Sequence, residues 1–375
     1  MKKSGDFKVT PWEVSGNINY EKLIKEFGVS HMPNLPKAFE ENLLFRRKIV
    51  FAQRDFSEIL NAIKNKKKFV MMTGLMPSGK FHLGHMLVAQ QMIFYQKLGA
   101  KLYIAVADLE AYNSRNPNLE ELRKIAIEQY LENYIALGLK PKNCEIYFQS
   151  SRSKDSKKSN AYYTLAANFS RYATFNEFKG VYGEISPGKM VSSLLQASDM
   201  YHPQLPEFEN TGTPTFIPVG IDQDPHIRIA RDIAKRYKNH KFMPIASTYH
   251  LFFPGLKEGG KMSSSDPTSY IALTDSPKEV ETKIKKYAFS GGRDTLKEHR
   301  EKGGDPDIDV SFQYLKFFFE QDDKKLKEIH DKYKSGEMLT GELKEILIEK
   351  INAFLKEHQK KRILAKKQVK NFLIS

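Results

Sequence analysis

Two short stretches carry residue types that handle phosphate: His82-Leu83-Gly84-His85, preceded by Pro77-Ser78-Gly79-Lys80, and far downstream Lys261-Met262-Ser263-Ser264-Ser265. Phe69 to Gly74 reads as a buried apolar strand and Met86 to Leu98 as a helix ended by Gly99, so the histidine pair sits where a strand runs into a helix N-terminus. Such a junction offers an anion free backbone N–H groups and a favourable dipole. Gly79 and Gly84 leave room for a nucleotide to approach the backbone, while His82 and His85 can donate to phosphate oxygens. In the second stretch, Gly259-Gly260 predicts a mobile loop that carries Lys261 and three hydroxyls. A mobile lysine can neutralise the charge that develops on a leaving pyrophosphate, which stabilises the transition state more than the ground state. Either stretch alone is a weak signal. In this order, with strand-like sequence before both, they describe two halves of a site for the phosphates of ATP.

The elements that must position them alternate strand and helix. Leu102–Ala107 and Cys144–Phe148 read as further buried strands. Between them, Asn118 with Glu121 starts a helix whose inward face is Leu122, Ile125, Ala126, Tyr130, Tyr134 and Leu137, ended by Gly138. This is a βαβαβ unit and implies a parallel sheet. The strand pattern resumes at Thr215–Gly220, which places Ile221-Asp222-Gln223-Asp224 at a carboxyl end, where open α/β sheets bind ligands. The expected fold class is α/β, with a Rossmann-type parallel sheet, a helical insertion and an all-α C-terminal domain. The expected division is 1–68 as an appended N-terminal region, 69–150 and 214–275 as two halves of the catalytic domain, 151–213 as the insertion, and 276–375 as the helical domain. In that last part Leu343, Ile346, Leu347, Ile351, Phe354 and Leu355 form one apolar stripe.

Composition narrows the partners. The 375 residues carry a formal net charge of +15, which favours a polyanion. Lysines are dense from Thr340 onward, including Lys344, Lys356, Lys360, Lys361, Lys366, Lys367 and Lys370. Cys144 is the only cysteine, so an intrachain disulfide is excluded and a buried thiol in a reducing compartment is expected. The start, Met1-Lys2-Lys3-Ser4, leads to no apolar run, no stretch is long enough to span a bilayer, and metal-ligand spacing is absent. A cytoplasmic protein without a metal site and without membrane contact is the expectation.

The segment Pro77–His85, the turn Gly220-Ile221-Asp222-Gln223 and the loop Lys261–Ser265 together resemble the signatures of class I aminoacyl-tRNA synthetases of the tyrosyl and tryptophanyl subgroup. Val9-Thr10-Pro11-Trp12-Glu13-Val14, Ile221-Asp222-Gln223-Asp224-Pro225, Ala288-Phe289-Ser290-Gly291-Gly292-Arg293-Asp294-Thr295 and Met338-Leu339-Thr340-Gly341-Glu342-Leu343 look like the archaeal and eukaryotic tryptophanyl type. The resemblance implies ATP-dependent activation of L-tryptophan and its transfer to tRNA(Trp), with a tyrosyl enzyme as the alternative. It implies catalysis by Lys261, His82, His85, Ser263 and Ser264, and ATP binding by Pro77, Ser78, Gly79, Lys80, Gly84, Gly220, Asp222 and Met262. Tryptophan would lie against Met72, Gly74, Glu110, Gln196, Asp199 and Gln223, with the Asp199 carboxylate accepting from the indole N–H and Trp12 lying over the site. Met72 and Ala105 stand where the eukaryotic branch has a tyrosine and a glutamine, and Met72 offers a polarizable apolar wall. Mg2+ would arrive with ATP, with no tightly bound cofactor. The insertion would form a homodimer, and the C-terminal domain would read the anticodon, its Phe354, Phe372 and His358 either stacking on bases or packing.

Overall fold

A seven-stranded sheet sits at the centre of the computed structural model, which describes residues 8–9, 14–15, 18–115 and 118–373. Trp12 and most of its motif lie outside the described residues. The strands are β1 (Ser30–His31), β2 (Val50–Arg54), β3 (Val70–Leu75), β4 (Lys101–Val106), β5 (Cys144–Phe148), β6 (Thr215–Gly220) and β7 (Ala246–His250), in the order β1-β2-β7-β6-β3-β4-β5. From β7 to β5 all neighbours are parallel. The chain winds outward from β3 in one direction and from β6 in the other, the doubly wound topology expected of alternating strands and helices.

The parallel register sorts the side chains. Met72, Tyr103 and Glu145 share one row, and Gly74, Ala105 and Tyr147 the next, all on one face. The opposite face carries Met71, Leu102 and Cys144 into the larger core, where helix α1 (Met86–Lys97) packs. Cys144 is buried there, and burial pushes its thiol up to about 12. Helix α2 (Asp108–Ser114) leaves the end of β4, and Asn118 caps the next helix by accepting from the Glu120 and Glu121 N–H groups at 3.1 Å. That helix passes through a π turn at Ala126–Leu131 and ends at Gly138, whose φ of +120° suits glycine.

Three regions expected as separate units pack against the sheet. From the region expected as appended, strand β2 pairs antiparallel with β7 and β1 extends the edge, so residues 30–54 belong to the sheet. Arg54 of β2 makes a two-pronged contact at 2.9 and 3.0 Å with Asp224, which is fully buried at the start of helix α6 (Asp224–Arg236). The insertion, helices α3 (Ser156–Phe169), α4 (Phe175–Tyr182) and α5 (Pro187–Tyr201), packs on the Met72 face of the sheet and shares a core with Val70, Tyr103 and Ile217. The C-terminal helix α7 (Thr340–Lys366) docks on the catalytic half. His358 meets Asn133 at 2.7 Å, Arg362 pairs with Glu132 at 3.0 Å, and Gln359 donates to the Leu273 and Asp275 carbonyls. His358 and Phe372 are buried, and Phe354 stacks on His358, so these three rings pack. No described helix is long and apolar enough to cross a membrane.

Candidate active site

Strands β3 and β6 pair only at Val70 with Thr215 and Met71 with Phe216, and beyond those residues they part. A cleft of about 750 Å³ opens at their carboxyl ends. Its walls include His82, Gly84 and His85 on one side and Lys261 through Ser265 on another. Backbone pairing fastens the histidine turn to the segment just after the lysine loop: the Leu83 N–H donates to Ile271 O and the Leu273 N–H to Phe81 O, each at 3.0 Å. A Cβ at Gly84 would sit 3.1 Å from the His82 ring, a tight approach, and in ordinary contact with Met262 at 3.5 Å, so the two motifs lie close together here.

The histidines are set as neutral donors. The His82 N–H donates to His85 Nδ1 at 3.1 Å and the rings stack at 3.8 Å, which leaves the His85 proton on Nε2. Burial lowers His85 to about 4, and burial with its neighbour His85 holds His82 well below the usual imidazole range. Cationic charge in the cleft therefore comes from Lys261 and Arg115. Lys261 Nζ rests 2.8 Å from Asp222 Oδ2, which also accepts from Gln223 Nε2 at 3.0 Å. Gly220 leads into this turn without space for a Cβ, which would fall 2.5 Å from Asp222 Oδ1.

The deeper part of the cleft is an apolar slot. Met72, Gly74, Ala105, Met200 and Ile217 line it, with Glu110, Gln196, Asp199 and Gln223 among the polar groups. Gln196, Asp199 and Met200 share one face of α5 by their helical spacing. Ser78 reaches the cleft, whereas Pro77, Gly79 and Lys80 do not line it. Lys80 is exposed, and Gly79 makes the turn at φ +121° beside Ser264.

Asp199 differs from its sequence expectation. Its carboxylate already holds three donors: Tyr147 and Tyr162 hydroxyls on Oδ1 at 2.7 and 2.8 Å, and Gln149 Nε2 on Oδ2 at 2.7 Å. Burial raises it to about 6 against those stabilising bonds. Glu110 is pushed up to about 7 by burial and then by the charge of Asp199, with Arg115 opposing. The sequence reading missed Gln149, Tyr147, Tyr162, Arg115 and His226. Gln149 and Tyr147 stand two apart at the end of β5, and that alternation was the available signal.

These shifts give a pH prediction. His82, His202, His226, His250 and His358 are buried and His85 half-buried, all with lowered values, about 4 for His85, His226 and His358. Unfolded, they take up protons near pH 6.5 while the folded chain resists, so the stability they contribute is present above 6.5 and is lost toward pH 4. Glu110 and Asp199 act oppositely, since their raised values favour the folded state as the pH falls. Six groups outweigh two. The thermal midpoint should fall from pH 7 to pH 5, and a flat or rising profile in a melting series would contradict this balance.

Residues 64–356 match the family described as tRNA synthetases class I (W and Y). The chain belongs to this family. Similarity to class I synthetases extends along nearly the whole chain. The tryptophan–tRNA ligase of Methanocaldococcus jannaschii is 43% identical over 364 residues, 96% of each protein. That of Hyperthermus butylicus is 39% identical over 98% of each. Among solved synthetases, the tryptophanyl-tRNA synthetase of Aeropyrum pernix aligns with a TM-score of 0.88 at 40% identity, over 95% of this chain and 96% of that one.

Proposed function

We propose that the chain activates L-tryptophan with ATP and transfers the tryptophanyl group to tRNA(Trp). The observation that carries this reading is that one cleft unites both phosphate motifs with an apolar slot walled by Met72 and Ala105. Met72 gives a tyrosine phenol no hydroxyl partner, and the relatives described above are tryptophan enzymes.

The tryptophan carboxylate attacks the α-phosphate in line and pyrophosphate leaves. The terminal ribose hydroxyl of the tRNA then attacks the mixed anhydride and releases AMP. Catalysis is positioning plus charge stabilisation. His82, His85 and the start of α1 hold the triphosphate, with Ser78, Gly84 and backbone at Met262 against the nucleotide and Gly79, Lys80 and Pro77 shaping the turn. ATP exchanges one protein contact for two of its own: ribose hydroxyls take Asp222, and Lys261 moves from Asp222 to the phosphates, assisted by Ser263 and Ser264. Glu110, Gln196 and Gln223 receive the α-ammonium, and the Asp199 cluster closes the polar end of the slot beyond Gly74. Mg2+ enters with ATP.

The tRNA would meet the exposed lysines of α7 and its end, Lys356, Lys360, Lys361, Lys366, Lys367 and Lys370. Tyr112, Phe175 and Val191 are exposed apolar residues on α2, α4 and α5, which suits a homodimer through the helical cover. The enzyme works in the cytoplasm. The test is ATP–pyrophosphate exchange, followed by charging of tRNA(Trp). Exchange should depend on tryptophan, and equal or higher kcat/KM with tyrosine would overturn the reading.

A further inference from the structure

One buried polar atom in the slot has no partner. Gln149 is 1% exposed and lines the cleft, and its Oε1 makes no hydrogen bond. The rest of the residue is locked. Its backbone N–H donates to Val106 O at 3.0 Å, its carbonyl accepts from the Tyr163 hydroxyl at 2.8 Å, and its Nε2 donates to Asp199 Oδ2 at 2.7 Å. A carboxylate accepts only, so the amide nitrogen must face Asp199 and the amide oxygen must turn away from it. Leaving a buried acceptor unpaired costs free energy, and an unpaired acceptor lining a ligand slot is a group waiting for a donor.

Indole supplies that donor and nothing else, since its ring N–H cannot accept. Resting on the tryptophan reading above, we propose that Gln149 Oε1 accepts the indole N–H and that Asp199 is the positioning residue that orients the amide. Asp199 is poorly placed to be the first acceptor. Its Oδ1 already serves two tyrosines, and its Oδ2 serves Gln149. Tyr147 and Tyr162 are both fully buried and hold the other carboxylate oxygen from the one that the amide holds. Of the other slot walls, Ala105 has no side-chain acceptor and Met72 only a weak thioether one. Gln149, just past the end of β5, supplies a strong one.

The test compares tryptophan with 3-benzothienyl-L-alanine, in which sulfur replaces the indole N–H with little change of shape. In pyrophosphate exchange the wild type should prefer tryptophan by about 10- to 100-fold in kcat/KM. Gln149→Met should abolish most of this preference by raising the tryptophan KM while leaving the thienyl analogue nearly unchanged; a merely structural role would lower both alike. Gln149→Asn, which withdraws the amide by one methylene, should do the same and serves if the methionine variant fails to fold. Asp199→Asn should also lose the preference, because the new amide can donate to Gln149 and invert it. A Gln149→Met or Gln149→Asn enzyme that keeps the wild-type preference overturns the assignment. So does a wild-type complex with tryptophan whose indole nitrogen sits on Asp199 rather than Gln149. No tryptophan-dependent exchange in the wild type would instead sink the functional reading itself.

Discussion

Lys261→Ala should lower the rate of tryptophan activation by about 10²- to 10³-fold, the loss typical when one charge-stabilising group is removed from a transition state. Tryptophan KM should change little, because the charge of Lys261 is held at Asp222 rather than at the apolar walls Met72, Ala105 and Met200. Lys261 pairs with Asp222 at 2.8 Å and is 35% exposed, so it is already partly desolvated and need only swing from a carboxylate to a phosphate. Its loop is hinged by the Gly255 N–H donating to Gly260 O at 2.7 Å, next to the lysine. Lys261→Arg keeps the charge with a broader head and should recover part of the rate. Exchange kinetics at saturating ATP decide it: a Lys261→Ala enzyme at wild-type rate removes the lysine from the mechanism.

Asp199→Ala should destabilise the fold by about 2 to 5 kcal/mol as well as impair tryptophan use. Removing the carboxylate strands the Tyr147 and Tyr162 hydroxyls and the Gln149 amide, all buried, at about 1–3 kcal/mol each. Relief works against this. Burial raises the carboxyl from 3.8 to about 6 even with its three hydrogen bonds, so above pH 6 the wild type carries a net ionisation cost that the variant loses. The orphaned donors outweigh that relief. The sign of the pH effect follows: Asp199 favours folding most below 3.8 and least above 6, and the variant should lack this slope. Chemical denaturation read at pH 5 and pH 7.5 measures both, and an unchanged midpoint at both would show that the cluster is not held together by Asp199.

Much of this site was legible because its chemistry is local. The histidine turn and the lysine loop, each weak alone, point together to one site by residue type and order, and strands β3, β4, β5 and β6 fall where their apolar runs lie. The edge of the sheet was hidden. Ser30–His31 is two residues long and exposed, and Val50–Arg54 is half polar, so neither has the apolar run of a central strand; β2 is recruited by pairing with β7, nearly two hundred residues away. The Asp199 cluster was hidden for a related reason. Tyr147, Gln149, Tyr162 and Asp199 come from a strand and two helices, and no spacing along the chain links a carboxylate on α5 to its donors on β5 and α3. A sequence shows that Asp199 can accept a hydrogen bond, but only the fold shows that its capacity is largely taken. His358 and Phe372 were ambiguous likewise, because a ring that packs and a ring that stacks on a base have the same composition, and contact with Asn133 decides for His358.

The central claim is that the histidine turn and the lysine loop act on one triphosphate beside the indole slot. A co-crystal structure with tryptophan and a non-hydrolysable ATP analogue tests it most directly. The account predicts His85 and Lys261 both on the triphosphate, Lys261 released from Asp222, and the indole ring between Met72 and Met200. A triphosphate bound away from Lys261 with its Asp222 pair intact, or an indole outside that slot, would contradict it.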